Sequence, residues 1–302
     1  MGSDPISPAV EAPSKRGAKM PRMKRLTLAL ISLAFLASCQ DAPKQAAGPS
    51  LYILDCGDIK AMDPTLFGLK KEEIAGDGSF VTPCYLIVHP KGTLMWDVGQ
   101  IPDEKIPDNG TEVVVQDILK AKRKLMPQLA ALGFKPADIT YLAMSHYHID
   151  HTANANLFAG STWIVQQAEY DAMFGAKEYA IRDASSYDKL KDARRITLNN
   201  ADHDVFGDGT VVVKTAPGHT PGHQMLFLRL RNFGPLLLEG DLYHLPEERT
   251  LDRVPTFDFD AAMTRATRVK TDAFLTETGA QMWIQHDPPT NAKLRKAPAY
   301  YD

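Results

Sequence analysis

The heptapeptide SHYHIDH at positions 145–151 narrows most what this chain can fold into. It sets three histidines and an aspartate within seven residues, directly after the apolar run ITYLAM at 139–144. That run predicts a buried strand. Imidazole and carboxylate are the donors that a borderline cation such as zinc accepts. A loop leaving a strand is rigid at its root and open at its tip, so ligands on several such loops can converge. The fold must therefore bring other strand ends to this one.

The same arrangement recurs downstream. His219 follows a strand expected at 210–216, Asp241 one at 235–239 and His286 one at 281–284. With His146, His148, Asp150 and His151 they make five histidines and two aspartates, and no cysteine. One tetrahedral zinc takes at most about four ligands. Two cations about 3.5–4 Å apart take seven when one carboxylate bridges them. A ligand set free of cysteine points to a catalytic centre with open positions rather than a closed structural site.

Between these loops, further strands are expected at 51–55, 85–89, 93–97, 162–165 and within MLFLRL. Helices are expected at 125–132, stopped by Gly133, and at 167–174 and 260–276, with a charged helical insertion over 176–194. Strands dominate both halves and helices intervene. The order predicts a four-layer αββα sandwich rather than one doubly wound sheet. Trp96, Trp163 and Trp283 are expected in the core. His223, His89 and His203 carry no ligand signal.

The amino terminus is of another kind. Lys24 and Arg25 precede an apolar stretch at 26–37 and then Cys39, the basic, apolar, small-residue order of a secretory signal. It is shorter than the about 20 residues that span a bilayer. The ending Leu36-Ala37-Ser38-Cys39 resembles a bacterial lipobox. That resemblance implies a lipoprotein-type signal at 23–38, cleavage before Cys39 and lipidation there. The product would be exported and lipid-anchored in the periplasm or at the cell surface. Residues 1–22 are expected to be vector-derived or an over-early start, 39–50 a tether, and 51–302 the folded domain. The mature chain would carry 28 basic and 35 acidic residues, which excludes nonspecific nucleic-acid binding as a role. Cys56 and Cys84 lie in apolar runs and are expected as buried free thiols, with a disulfide as the alternative in an oxidising compartment.

SHYHIDH, APGHTPGH, EGD and IQHD resemble the metallo-β-lactamase superfamily across about residues 51–287. DCG, PCYLI, MWDVG, IVQQAEYDAM, TPGHQMLFL and VPTFDFD are similar, more narrowly, to N-acyl-homoserine lactone lactonases, the quorum-quenching lactonases. The resemblance implies two divalent metal ions, zinc first, with iron, cobalt and manganese also accepted by such ligands. It implies His146, His148 and His219 on the first ion, Asp150, His151 and His286 on the second, and Asp241 bridging. Asp97 would orient a ligand imidazole. The implied reaction is opening of an acyl lactone ring by a metal-bridging hydroxide, with Asp150 moving the proton. Where the family has a tyrosine three residues after the bridging aspartate, this chain has His244, with Tyr243 beside it. Neighbours on an extended segment face opposite ways, so one of the two is expected at the substrate, His244 ahead of Tyr243. Met62, Leu66, Phe67, Phe80 and Phe174 are the candidates for an acyl groove. The rivals are a glyoxalase II-like thioesterase using Lys293, Arg295 and Lys296, a phosphotriesterase, a β-lactamase, and a non-catalytic metal-binding lipoprotein. A homodimer is left open.

Overall fold

A computed structural model describes residues 48–302. The expected leader at 1–22, the signal at 23–38 and Cys39 lie outside the described residues. In chain order the strands are β1 (Ser50–Ile59), β2 (Phe80–His89), β3 (Gly92–Trp96), β4 (Val113–Val115), β5 (Leu119–Ala121), β6 (Tyr141–Ala143), β7 (Thr162–Gln166), β8 (Arg195–Leu198), β9 (His203–Asp204), β10 (Val211–Thr215), β11 (Gln224–Leu230), β12 (Gly234–Leu238), β13 (Gln281–Trp283) and β14 (Tyr300–Tyr301). The helices are α1 (Leu125–Ala131), α2 (Ile149–Thr152), α3 (Gln167–Phe174), α4 (Pro246–Thr250), α5 (Ala261–Thr278) and α6 (Pro288–Lys293).

Two sheets result. One runs β4-β5-β1-β2-β3-β6-β7-β8, with β14 added to β1, and the other runs β13-β12-β11-β10-β9. Side chains alternate across each strand, and here both faces are apolar. Leu51, Ile53, Tyr85, Ile87, Leu94 and Trp96 point inward and share one buried cluster with Val211, Val213, Leu226, Leu228, Leu236 and Leu238 of the second sheet. Their neighbours Leu54, Leu86, Met95, Leu142 and Trp163 point outward, onto Leu125 and Leu129 of α1 and Met173 of α3. On the far side, Met225, Phe227 and Leu237 meet Phe274 and Leu275 of α5. The layers are therefore α, β, β, α, as the element order predicted. A one-residue slip of any central strand would exchange its two faces, and each large side chain so displaced forfeits about 1.5–3 kcal/mol of burial.

The structure departs from expectation in four places. The second strand begins at Phe80, five residues before Tyr85, although Pro83 can donate no ladder bond. Pro83 pairs with Asp55, at the edge of a register shift in β1 between Asp55 and Asp58, and a bulge is where a strand tolerates proline. Cys56 sits within that shift and is joined to Cys84 by a disulfide, their Cα atoms 5.9 Å apart. The expectation of free thiols is thus corrected, because the bulge turns Cys56 toward β2. The 176–194 segment contains the 3-10 turns Ala184–Ser186 and Asp188–Asp192 rather than an α-helix. Finally, β4 and β5 form a hairpin that carries no glycine signal. Its turn is made by Gln116 and Asp117, both at positive φ (51° and 62°), a geometry normally marked by Asn-Gly. Among the described residues no helix is long and apolar enough to cross a membrane.

Candidate metal centre

The loops that leave β6, β10, β12 and β13 converge. His146, His148, His219 and Asp241 form one group and Asp150, His151, His286 and Asp241 a second, the ligating atoms of each lying within 4.8 Å of one another. Asp241 belongs to both and divides its oxygens between them. Oδ2 is 3.6 Å from Nε2 of His146 and 3.6 Å from Nε2 of His219. Oδ1 is 3.2 Å from Nε2 of His151 and 3.1 Å from Nε2 of His286. Asp150 Oδ2 closes the second group, 3.4 Å from both of those nitrogens. His148 Nδ1 lies 3.1 Å from His219 Nε2.

Why the backbone holds these positions follows from its neighbours. Gly240 turns the chain from β12 into Asp241 at φ 65°, and a Cβ there would stand 2.6 Å from His223 Nε2. His223 uses that nitrogen to accept from the Asp241 backbone N–H at 3.0 Å, while its Nδ1–H donates to the Ala216 carbonyl at 2.9 Å. Both bonds need a neutral ring. Burial, helped by His219, pulls the His223 pKa down to about 3. His223 is thus a structural residue that fixes the shared carboxylate.

Three of the five ligand rings are also held from behind. Asp97 Oδ2 lies 3.0 Å from His151 Nδ1. The same carboxylate accepts from the Ser145 N–H at 2.7 Å and from Gln285 Nε2 at 2.6 Å. Asp97 itself sits at φ 53°, a conformation a non-glycine residue keeps only when its surroundings over-determine it. Asp258 Oδ1 lies 2.8 Å from His219 Nδ1 and is steadied by the Thr264 hydroxyl on Oδ2 at 2.6 Å. His286 Nδ1 donates to the Val81 carbonyl at 2.8 Å. These bonds leave Nε2 as the nitrogen facing inward on His151, His219 and His286.

The inward atoms are the test of whether cations fit. Nε2 of His146, His151 and His286 and Oδ1 of Asp241 are buried with no hydrogen-bond partner. Unpaired polar atoms at that depth cost about 1–3 kcal/mol each, and here they converge from both sides of one carboxylate. Burial opposes charge on Asp241, but His151, His286 and His146 outweigh it and hold the carboxyl well below its ordinary range. Burial likewise lowers His151, and Asp241, Asp150 and Asp97 overcome it and push its pKa well up. The constellation attracts positive charge, and metal cations would supply it without protons.

The centre opens into a cavity of about 450 Å³. His148, Asp150, Asp241, His244 and His286 line it on the metal side, Ile59, Met62, Phe67, Phe80, Ile118, Leu119, Ile149, Ile181 and Phe257 supply apolar lining, and Gln116 and Arg182 add two further polar groups. Met62, Phe67 and Phe80 are therefore where the groove was expected. Leu66 points outward, 38% exposed, because it precedes Phe67 on the 3-10 turn Pro64–Phe67. Phe174 packs on Trp163, Tyr170 and Tyr187 in the outer helical layer. Neither belongs to the cavity.

His244 faces the cavity, its Nε2 3.2 Å from Asp241 Oδ2. Tyr243 turns the other way into the cluster under α5, its ring 4.1 Å from the Arg268 guanidinium. Its candidacy at the substrate is corrected for that reason. Three supporting residues escaped the sequence reading: Asp258, Gln285 and Glu248. Asp258 stood inside the quoted VPTFDFD, but nothing in its spacing tied it to His219.

The sandwich and its paired imidazole–carboxylate groups are of the class the resemblance implied, and residues 77–273 match the metallo-beta-lactamase superfamily. The chain belongs to that superfamily. In sequence it is similar to N-acyl homoserine lactonase AttM of Azorhizobium caulinodans, 33% identical over 261 residues that cover 83% of this chain and 98% of that protein. N-acyl homoserine lactonase AttM of Rhizobium radiobacter is 32% identical over 260 residues, again 83% and 98% of the two chains. In fold it is similar to an N-acyl homoserine lactone hydrolase solved with N-hexanoyl-L-homoserine at its catalytic metal center. That match has a TM-score of 0.70 and 22% identity, over 84% of this chain and 100% of the other. AidC, a dizinc quorum-quenching lactonase, matches with a TM-score of 0.59 and 19% identity, over 85% and 95%.

Proposed function

We propose that this protein is a metal-dependent hydrolase that opens the lactone ring of N-acyl homoserine lactones. The carrying observation is a dinuclear-type ligand set at one side of a cavity whose other lining is mostly apolar, with Gln116 and Arg182 as further polar groups, which suits a substrate with one reactive ester and a hydrocarbon tail. His146, His148 and His219 would hold one ion and Asp150, His151 and His286 the other, with Asp241 common to both groups. When bound, two such ions supply a water nucleophile at neutral pH and Lewis-acid polarisation of the ester carbonyl. Zinc is the first choice, since imidazole and carboxylate suit it and AidC carries two.

The chain's own residues do the rest. Asp150, 12% exposed at its side chain, takes the proton released on attack and delivers it to the leaving alkoxide. His244 presents Nε2 to the carbonyl oxygen as a donor. Burial disfavours its charge, but Glu248 and Asp241 override burial and push its pKa well up. The walls from Met62, Phe67 and Phe80 take the acyl chain and exclude water. The glyoxalase-type reading fits less well: Lys293, Arg295 and Lys296 do not line the cavity, and Arg182, which does, is engaged by the Ala172 carbonyl and Glu178.

The test is hydrolysis by the metal-loaded protein of N-hexanoyl-homoserine lactone beside a β-lactam, a thioester and a phosphotriester. Ring opening of the lactone with the highest kcat/KM supports the reading, and a clear preference for another substrate overturns it. We also propose that the protein is exported and lipid-anchored through Cys39. The Cys56–Cys84 disulfide supports this, being a bond that persists in oxidising compartments. Cys39→Ser should move it from the membrane to the soluble fraction; an unchanged distribution would refute the anchor.

A further inference from the structure

An imidazole has two nitrogens on opposite sides, and His244 uses only one of them at the cavity. Its Nε2 faces Asp241 at 3.2 Å. Its Nδ1 faces away, 3.3 Å from Oε1 of Glu248. Both atoms are buried without a hydrogen bond of ordinary geometry, and the 3.3 Å ion-pair contact is what brings them together. Glu248 has no exposed surface, and its second oxygen is already anchored. Oε2 accepts from the His244 backbone N–H at 3.2 Å and from Arg268 Nη2 at 3.2 Å.

Arg268 is itself immobilised. It is 4% exposed and donates Nε and Nη2 to the Leu242 carbonyl at 3.1 and 2.8 Å. Its Nη1 donates to the Arg253 carbonyl. The guanidinium thus ties α5 to the first turn of α4, where Glu248 stands one helical turn after His244. A carboxylate clamped on one side offers its free oxygen to Nδ1–H and so fixes the rotation of the imidazole ring.

We propose that Glu248, held by Arg268, is a positioning residue for His244. Its Oε1 faces Nδ1–H, which fixes the ring's orientation and aims the opposite Nε2–H at the reacting carbonyl. The inference rests on the lactonase reading for its kinetic test but not for its spectroscopic one. A tyrosine at position 244 would reach the cavity with a single polar atom and leave Glu248 nothing to orient, so His244→Tyr is the background in which Glu248 should fall silent.

The experiment is a double-mutant cycle on the metal-loaded protein, with metal content and Tm measured for each variant. In the wild-type background Glu248→Gln should lower kcat about 10–100-fold, the size of loss seen when a carboxylate behind a metal-bound imidazole is removed, with KM and metal content unmoved. In the His244→Tyr background the same change should have no further effect. Equal losses in both backgrounds, an unchanged kcat, or loss of metal in step with activity would each overturn the proposal. Where the glutamine variant does not fold, Glu248→Asp keeps the charge but withdraws it by one methylene, and the same outcomes decide. Nitrogen-15 NMR of His244 is independent of turnover. A protonated Nδ1 in the wild type that is lost or redistributed in Glu248→Gln supports the assignment, and a bare Nδ1 in the wild type refutes it. Absence of lactone hydrolysis by the wild type would count against the substrate alone, since the NMR result would stand.

Discussion

Replacing both Cys56 and Cys84 by alanine is a perturbation whose size follows from the fold. The disulfide joins residues 28 apart. Closing a loop of that length removes about 12 cal/mol/K from the unfolded ensemble, or about 3.6 kcal/mol at 25 °C. Each kcal/mol moves Tm by about 2–4 °C in a domain of this size, so the expected fall is about 7–14 °C. Both sulfurs are buried among apolar side chains, where alanine leaves no unpaired polar group. Val81, whose carbonyl holds His286, is separately paired with Asp58 across β1 and β2. Metal content and kcat at 25 °C should therefore hold. The assay is thermal unfolding in metal-saturated buffer, since bound ions stabilise by mass action, with reductant added to the wild type as a second route. A Tm within about 2 °C of the wild type would refute the reasoning, as would loss of the metals at 25 °C.

Three further outcomes are expected. Asp258→Asn removes the carboxylate behind His219 Nδ1 and should weaken metal affinity or activity about 10–100-fold, checked by metal titration; an unchanged affinity would remove Asp258 from the account. Met62→Trp should narrow the apolar wall and raise KM for long acyl chains more than for short ones, without changing metal content, as a chain-length kinetic series would record. Burial pushes the Glu169 carboxyl up to about 7 from an ordinary 4.5, against hydrogen bonds from Thr220, Gly222 and Tyr147. The folded chain therefore keeps a proton that the unfolded chain releases. The associated stability is complete below about pH 4.5 and is lost as pH rises through 7, on the order of 3 kcal/mol. Denaturation at about pH 5 and about pH 8 should show the loss in the wild type and a smaller one in Glu169→Gln.

The parts of this protein that were legible in its sequence are those where one segment carries both the structural and the chemical signal. SHYHIDH follows an apolar strand, and its four ligands needed no partner to be noticed. The strand-like runs at 51–55, 85–89 and 93–97, and the recurrence of strands with intervening helices in both halves, pointed to four layers. What was not legible depends on which residues meet. Cys56 reaches Cys84 through a bulge beside Pro83. Asp258, Gln285 and Glu248 matter because folding sets them behind His219, Asp97 and His244, and each is an ordinary polar residue in its own segment. Leu66 and Phe67 are neighbours on one turn and face solvent and cavity respectively. Only the direction of the side chain separates them, and composition does not encode it.

The central claim is that seven side chains from four loops hold two cations that make ester cleavage possible. Elemental analysis of the purified active protein, paired with lactone turnover before and after chelation, tests it most directly. Two divalent ions per chain are expected, with loss of turnover when they are removed, recovery on reloading, and fewer ions in Asp241→Asn. Active protein free of metal, or ring opening that survives complete stripping, would contradict it.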